Sequence, residues 1–317
     1  MTDTTLLHFL SYNTHLFLDT LPGTIDLATK WINKIIEDVP LINKVIEDVP
    51  RQKYEDSRRL DDIITKVQNL APDIVGFSEV WANNSKKEFI SRLESQLPFY
   101  AWDKKEWNEL GSGLLLLSRF PLSNVSFTEY NRLSGIDSTS QKGFLMATAE
   151  IGSQKLLIVH THTQAEDSNA AIEARKDNIN QLHSSISSAA DYSMPVILFG
   201  DLNITGENEL GDSTDEYEFL RDTFKQSQMS DSYREMNDNA VSNPGYTYDA
   251  VNNKLIKYFD PSYAERKVKQ RLDYMFMRGI TPISVTVPDT FTFQTSDGTM
   301  DLSDHYPLQG YFELKQK

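Results

Sequence analysis

Cysteine is absent from the 317-residue sequence. Its absence excludes a disulfide framework, a thiolate metal site and a cysteine nucleophile. Basic residues are also scarce, because 31 lysines and arginines face 46 aspartates and glutamates and give a formal net charge of −15. An acidic surface of this kind repels phosphate backbones, so we expect no nucleic-acid partner.

Long apolar runs are missing as well. No stretch approaches the roughly 18 uninterrupted apolar residues that a membrane-spanning helix needs, so we expect at most a peripheral contact with a membrane. The first residues, MTDTTLLHFL, lack a basic segment followed by a long apolar run, and we recognise no secretory signal. The location therefore stays open between the cytoplasm, export by an unrecognised route and a mature secreted form, and the oligomeric state is open too.

Short apolar segments alternate with helical patterns along most of the chain, without a linker-like tract between them. This alternation predicts a single α/β domain over residues 1–317 with mixed sheets. The predicted strands are Leu6–Tyr12, Ile74–Phe77, Gly113–Ser118, Leu145–Ile151, Leu156–His162, Val196–Gly200, Leu272–Met277 and Tyr306–Leu314. The predicted helices are Arg58–Asn69, Lys86–Leu97, Ala170–Ala189 and Tyr217–Phe224.

A near-perfect tandem repeat with a period of ten residues occupies residues 32–40 and 42–50. Two copies are too few for a solenoid, which needs about three or more repeats. Apolar residues recur there at helical spacing and a proline closes each copy, which predicts a helical insertion at about 19–55. The insertion either packs on the body as short amphipathic helices or presents a surface to lipid or to a partner.

Polar side chains follow the ends of several predicted strands, where they can share one rim of a sheet. These residues are Asn13, Glu79, His162, Asp201, Asn203, Asp273, Asp304 and His305. Carboxylate and amide oxygens suit a hard cation such as Mg²⁺, and histidine can accept a proton near neutral pH. The set predicts metal-assisted hydrolysis by water. To the remaining histidines, His8, His15, His160 and His183, we assign structural or surface roles.

The order of these motifs, ending in Ser303-Asp304-His305, resembles the endonuclease/exonuclease/phosphatase superfamily with its DNase I-like fold. The resemblance covers nearly the whole chain. It implies a four-layer α/β/β/α sandwich with mixed sheets and a Mg²⁺-dependent phosphoesterase site, in which Mn²⁺ or Co²⁺ are the expected substitutes.

Two further segments are similar to neutral and bacterial sphingomyelinases: the block Thr161–Asp167, and Lys142-Gly143-Phe144. They imply hydrolysis of sphingomyelin at a membrane surface to ceramide and phosphocholine. The alternatives are another choline phospholipid, an inositol phosphate or a nucleic acid as substrate of the same fold. A lipid-binding or partner-binding protein without activity is the non-enzymatic alternative.

The metal-binding part of the implied site contains Glu79, which would hold Mg²⁺ with help from Asn13, and Asp304 close by. Lys142 would contact the phosphate or support the loop beside it, and an ordinary surface position is the equal alternative for this lysine.

The acid–base part of the implied site centres on His305 as the general base. Adjacent strand residues point to opposite faces, so Asp304 is poorly placed to orient its neighbour, and Asp273 is the better candidate. Asn203 and His162 would donate hydrogen bonds to the phosphoryl oxygens, and Asp201 would position water or assist the leaving group.

Membrane contact is expected from a different place than in the bacterial enzymes, which carry a hairpin with neighbouring aromatic residues. Here residues 287–300 offer only Phe291 and Phe293, which Thr292 separates. We therefore expect a lipid-facing lip in the insertion. Its residues would be Trp31, Ile32, Ile35 and Ile36. The aromatic candidates for choline, each explained equally well by core packing, are Trp81, Tyr246, Tyr248 and Tyr258.

Overall fold

The computed structural model describes residues 3–16, 56–103, 111–296 and 298–316. The predicted insertion at about 19–55, with its tandem repeat and the four lip residues, lies outside the described residues. Within the described ranges the chain forms two six-stranded sheets, and two short antiparallel ribbons accompany them.

The first sheet contains both ends of the chain. Its strands are β1 (Thr4–Leu16), β2 (Ile74–Val80), β3 (Phe99–Trp102), β4 (Leu115–Ser118), β13 (Thr281–Thr286) and β16 (Leu308–Lys315). They lie in the order β13-β16-β1-β2-β4-β3. Only β1 and β2 run parallel among the described neighbours of this sheet.

The second sheet is built from the middle of the chain. Its strands are β5 (Leu122–Glu129), β6 (Gly143–Ile151), β7 (Gln154–His162), β8 (Val196–Asp201), β9 (Ser230–Asp231) and β12 (Asp273–Arg278). They lie in the order β5-β6-β7-β8-β12-β9, with β7 and β8 parallel. The two ribbons pair β10 (Tyr248–Asp249) with β11 (Lys269–Gln270), and β14 (Thr292–Thr295) with β15 (Gly298–Asp301).

Helices connect the parallel strands, as they must where a chain crosses from one end of a sheet to the other. The helices are α1 (Asp56–Leu70), α2 (Asn83–Leu93), α3 (Asn169–Ala189), α4 (Asp215–Lys225), α5 (Ser232–Met236), α6 (Ile256–Phe259) and α7 (Pro261–Arg266), with a 3₁₀ turn at Gly135–Thr139. α1 lies between β1 and β2 in the chain, and α3 lies between β7 and β8.

Three apolar layers hold these elements together. One fills the space between the sheets, with Phe9, Phe199 and Phe312 fully buried in it. A second lies between the first sheet and α1, whose Leu60, Ile63, Ile64 and Val67 recur at helical spacing. A third lies between the second sheet and the pair α3 and α4. The predicted four-layer α/β/β/α sandwich is thereby confirmed.

The two phenylalanines of the 287–300 segment face inward. Phe291 is 2% exposed and Phe293 is 4% exposed, and both belong to the layer beneath α1. Phe291 packs edge-to-face on Tyr12, with ring centroids 5.0 Å apart. Their burial agrees with the expectation that membrane contact, if any segment makes it, does not use this one. No described helix has the length and apolar character needed to cross a membrane.

Candidate active site

The site residues lie at one edge of the sandwich because strand pairing aligns their strands there. In the second sheet His162 is directly opposite Asp201, and Asp273 is opposite Asp201 on its other side. In the first sheet Asn13 is opposite Ser78, the residue before Glu79. We call the six residues that converge the rim cluster: Asn13, Glu79, His162, Asp201, Asp273 and His305.

A β-bulge shapes the first-sheet side of the rim cluster. The pairing of β1 with β2 shifts register between Asn13 and Leu16. His15 and Glu79 both have positive φ there, 46° and 59°, which non-glycine residues rarely adopt. Bulges commonly redirect side chains beside active sites, and this one turns His15 and Glu79 toward each other.

Asn13 joins the two sheets at the centre of the rim cluster. Its amide nitrogen Nδ2 donates to Glu79 Oε1 at 3.0 Å and to Asp201 Oδ2 at 2.9 Å. Its oxygen Oδ1 accepts a hydrogen bond from the backbone N–H of His15 at 3.2 Å. The Ser303 hydroxyl donates to the Asn13 carbonyl at 2.7 Å, which holds the Ser303-Asp304-His305 segment beside it.

His305 is held by Asp273. Its Nδ1 donates to Asp273 Oδ2 at 2.8 Å, while Nε2 lies 3.8 Å from Asp201 Oδ2. Burial lowers the pKa of His305, but the charges of Asp273 and Asp201 outweigh burial and raise it to about 10. Burial, followed by the neighbouring Asp273, raises the pKa of Asp201 to about 7. The geometry thus fixes Nδ1 of the imidazole on Asp273 and directs Nε2 into the rim cluster.

His162 is a buried, neutral neighbour of both carboxylates. Its Nε2 lies 3.6 Å from Asp201 Oδ2 and 3.9 Å from Glu79 Oε1. Burial and the positive charge of Lys142 hold its pKa well below the ordinary value. Its Nδ1 has no hydrogen-bond partner among the described residues. Burying a polar atom without a partner costs free energy, so this nitrogen is a costly feature of the rim cluster.

His15, to which we assigned a structural or surface role, lies beside two of the predicted site residues. Its Nδ1 lies 3.3 Å from Glu79 Oε2 and 3.3 Å from Asp304 Oδ2. Burial lowers the pKa of His15, but Asp304 and Glu79 outweigh burial and raise it. Burial raises the pKa of Glu79, but His15 outweighs burial and holds it well below its usual range. No signal in the sequence marks this position, because it depends on the bulge between β1 and β2.

Lys142 is not a surface residue. It is 2% exposed, and its Nζ donates to Asp137 Oδ2 at 2.9 Å and to the Thr163 carbonyl at 3.1 Å. Asp137 Oδ2 also accepts from the backbone N–H of Ala165 at 2.6 Å. Lys142 therefore ties the 3₁₀ turn to the loop after His162, which agrees with the predicted support of that loop.

Asn203 follows β8 with a positive φ of 50°. Its backbone N–H donates to Asp201 Oδ1 at 2.9 Å, and its Nδ2 donates to the same Thr163 carbonyl that Lys142 binds, at 3.1 Å. Its side chain is engaged with this loop, and its predicted contact with a phosphoryl oxygen stays a prediction.

The other three histidines match their structural assignment. His160 lies between the sheets, with Nε2 3.0 Å from the Phe77 carbonyl and Nδ1 3.2 Å from the Phe199 carbonyl. His8 stacks on Tyr311, with ring centroids 4.3 Å apart. His183 packs edge-to-face near Phe224. Of the aromatic candidates for choline, Tyr248 packs edge-to-face on His305, with ring centroids 5.5 Å apart.

Two groups in the rim cluster have the chemistry of a metal site. Glu79, His162 and Asp201 offer one set of ligand atoms within 4.8 Å of one another, and Asp201, Asp273 and His305 offer another. Hard divalent cations prefer carboxylate oxygens, and the low pKa of Glu79 keeps that carboxylate ionised. The residues present therefore fit a divalent cation.

The chain is similar to known proteins over most of its length. The model of the endonuclease/exonuclease/phosphatase family matches residues 10–305. A phospholipase C from Staphylococcus aureus is 24% identical over 271 residues, which cover 75% of this chain and 76% of that protein. A sphingomyelinase C from Bacillus cereus is 23% identical over 276 residues, which cover 77% and 78% of the two proteins.

A solved structure shares the fold. A double mutant of beta toxin from Staphylococcus aureus, with bound magnesium ions, aligns with a TM-score of 0.66 and 18% identity, covering 99% of this chain and 100% of that one. At this identity the likeness shows the fold alone. Because the family model spans nearly the whole length, the chain belongs to the endonuclease/exonuclease/phosphatase family.

Proposed function

We propose that this chain is a divalent-metal-dependent phosphodiesterase that hydrolyses sphingomyelin to ceramide and phosphocholine at a membrane surface. The observation that carries the proposal is the rim cluster, with His305 held by Asp273 at 2.8 Å and facing Asp201, in a chain whose relatives include a phospholipase C and a sphingomyelinase C. The relatives' activities support a phosphodiester of a phospholipid as the substrate class.

The first-sheet side of the site would hold the cation. Glu79 and Asp304 would be its carboxylate ligands, and Asn13 holds Glu79 in place through its amide N–H. The ligand role of Asn13 stays a prediction. When bound, Mg²⁺ supplies positive charge to the phosphate oxygens and lowers the pKa of the neighbouring His305.

Residues of the second-sheet side would carry out the proton transfers. Nε2 of neutral His305 accepts a proton from the attacking water, while Asp273 binds Nδ1–H and stabilises the imidazolium. The water oxygen bonds to phosphorus, and the bond from phosphorus to the ceramide oxygen breaks with its electron pair. Asp201, with a pKa of about 7, can be protonated at neutral pH and can supply the proton that this oxygen takes.

His162 and Asn203 would donate hydrogen bonds to the phosphoryl oxygens, beside the charge that the cation supplies. His162 is buried beside Asp201 and Glu79, and Asn203 stands on the same strand end as Asp201. Donors aimed at the charge that builds in the transition state are commonly the largest electrostatic contribution to such reactions.

The test measures phosphocholine release from sphingomyelin-containing liposomes with Mg²⁺ and with EDTA. We expect metal-dependent turnover by the wild type and a loss of about 10²–10⁴-fold in His305→Ala, the usual contribution of a positioned base. His183→Ala, which replaces the histidine of α3 that packs beside Phe224, is the matched control and keeps wild-type turnover.

Other outcomes separate the alternatives. Turnover of another choline phospholipid or an inositol phosphate, with sphingomyelin unreacted, would keep the reaction type and replace the substrate. Turnover that persists in EDTA would contradict the proposed dependence of the reaction on a divalent metal ion. No turnover of any phosphodiester would favour a lipid-binding or partner-binding protein.

A further inference from the structure

Two aliphatic side chains project into solvent from neighbouring loops. Leu210 is 78% exposed and Val241 is 66% exposed, the two highest values among the large hydrophobic residues that the structure describes. The loops touch, because a Cβ added to Gly211 would lie 2.8 Å from Val241 Cγ2. One exposed aliphatic residue is ordinary, but two on adjoining loops form a patch of the kind that meets lipid or protein. We call Leu210 and Val241 the apolar tip.

Arg234 joins the bases of the two loops. Its Nε and Nη2 donate to the two carboxylate oxygens of Glu207 in the first loop, at 2.7 Å and 2.9 Å. In the second loop its Nη1 donates to the Asn243 carbonyl at 2.8 Å, and its Nη2 donates to the Pro244 carbonyl at 3.0 Å. One guanidinium group therefore holds both loops in a fixed relation.

Each residue of the apolar tip stands on a turn that an asparagine closes. Asn208 Oδ1 accepts a hydrogen bond from the Leu210 N–H at 2.9 Å, and Asn239 Oδ1 accepts one from the Val241 N–H at 3.1 Å. Such turns order the backbone locally. Because the apolar tip is already ordered, docking it on a surface costs little conformational entropy.

Both loops connect directly to the rim cluster. The first follows Asp201 at the end of β8 and leads to α4, and its Gly206 N–H donates to the carbonyl of Arg271 at 3.2 Å. Arg271 lies two residues before Asp273. The second loop leads to Thr247, whose Oγ1 accepts a hydrogen bond from the Asp273 N–H at 3.2 Å. The apolar tip therefore belongs to the same edge of the sandwich as the rim cluster, on its second-sheet side.

The charge of the two loops indicates which surface they suit. Residues 202–214 and 237–246 contain no lysine or arginine. The exposed carboxylates of Glu209, Asp212 and Asp238 flank the apolar tip. Membranes of anionic lipid attract basic segments, so these loops are unsuited to them. A bilayer of choline lipids carries no net charge and presents ammonium groups at its surface, which attract carboxylates.

We propose that Leu210 and Val241 dock the protein on a bilayer of zwitterionic choline lipids. The inference rests on the proposed function for the lipid substrate, and it names the surface by which the site reaches that substrate. The two side chains leave water on entering the interface, while the flanking carboxylates face the choline groups. This surface is separate from the insertion at about 19–55 and from the buried Phe291 and Phe293.

The test measures co-sedimentation of the full-length chain with vesicles of phosphatidylcholine and sphingomyelin, in EDTA. Leu210→Ser/Val241→Ser should weaken binding at least about tenfold, because it removes the apolar area of two side chains. Leu6→Ser/Val125→Ser is the matched control, since it replaces the same residue types where they are 56% and 48% exposed on strands, and it should bind like the wild type. Adding phosphatidylserine to the vesicles should weaken binding of the wild type.

A second measurement locates the contact. Because the chain has no cysteine, Leu210→Cys can carry a single environment-sensitive fluorophore. Its emission should shift to shorter wavelength when vesicles are added, whereas the same label on Leu6→Cys should not shift. The inference is overturned if the label at position 210 does not shift, if Leu210→Ser/Val241→Ser leaves binding unchanged, or if phosphatidylserine strengthens binding.

Turnover distinguishes this inference from the proposed function. Leu210→Ser/Val241→Ser should lower phosphocholine release from vesicles at least about tenfold and keep turnover of a water-soluble phosphocholine diester. Equal losses on both substrates would overturn the inference. If the apolar tip binds vesicles and no phosphodiester is hydrolysed, the proposed function fails and the docking surface stands. If metal-dependent release occurs while the serine variant binds vesicles like the wild type, only the docking surface fails.

Discussion

The two sheets contribute contrasting environments to the rim cluster. On the first-sheet side, His15 and Glu79 stand on a bulge with positive φ and remain partly exposed. On the second-sheet side, Asp201 and Asp273 are direct neighbours in a regular antiparallel ladder and are almost completely buried. The irregular, partly exposed first-sheet side suits a cation that exchanges ligands. The regular, buried second-sheet side suits a hydrogen bond that keeps an imidazole in one orientation.

The largest loss of activity should come from a substitution on the buried second-sheet side. Asp273→Asn keeps the shape but removes the charge that holds His305, so we expect kcat to fall by about 10²–10⁴-fold. Divalent-ion affinity should stay near the wild-type value. Because Asp273 is the principal group that raises the pKa of His305, the pKa measured by NMR in EDTA should fall from about 10.

Glu79→Gln is the matching substitution on the partly exposed first-sheet side. It should lower the divalent-ion affinity, whereas Asp273→Asn should leave that affinity near the wild-type value. It weakens Mg²⁺ binding because an amide replaces an ionised ligand, and added Mg²⁺ should restore part of the turnover. Equal losses of ion affinity in Asp273→Asn and Glu79→Gln would contradict the division of the site into two sides.

The loops of the second-sheet side depend on a buried ion pair. Lys142→Met leaves Asp137 buried without its charge partner, so we expect the free energy of unfolding to fall by about 3–5 kcal/mol. Urea unfolding at neutral pH measures this loss. The double variant Lys142→Met/Asp137→Asn removes both charges and should recover most of it. If the single and double variants are equally unstable, the ion pair is not the cause.

Much of the fold could be predicted from the sequence because the central strands are buried. Each predicted strand and helix overlaps one in the structure, with ends shifted by a few residues, as in Lys86–Leu97 against the observed α2. The strands that the pattern missed include β3, β5 and β13 at sheet edges. Edge strands are half-exposed, so β5 shows little of the apolar alternation that reveals a buried strand.

The sequence predicts the site residues that stand at the ends of regular strands. It does not predict those whose position depends on an irregular backbone. Asp201 and Asp273 are neighbours because of ordinary register. The place of His15 depends on a bulge, and a one-residue irregularity leaves no mark in a hydrophobic pattern. The burial of Lys142 depends on Asp137 from a separate turn, which sequence spacing does not reveal.

The buried side chain of His160 connects the two sheets. Its ring contacts the Phe77 carbonyl of β2 in the first sheet and the Phe199 carbonyl of β8 in the second. Gly76 leaves room for it, since a Cβ there would lie 2.6 Å from His160 Nδ1. Burial outweighs the two carbonyl acceptors and lowers the pKa of His160 to about 4.

The pKa of His160 predicts the smallest effect, an acid-dependent loss of stability. The unfolded chain binds this proton below pH about 6.5 and the folded chain only below about 4, so stability is full above 6.5 and falls as the pH drops through that window. His160→Gln does not titrate, and between pH 7 and 4.5 it should lose about 2–3 kcal/mol less than the wild type. Urea unfolding at the two pH values measures the difference, with His183→Gln as the control. If His160→Gln keeps the wild-type pH dependence, folding does not lower the pKa of His160, and its burial is not the cause of the acid-dependent loss of stability.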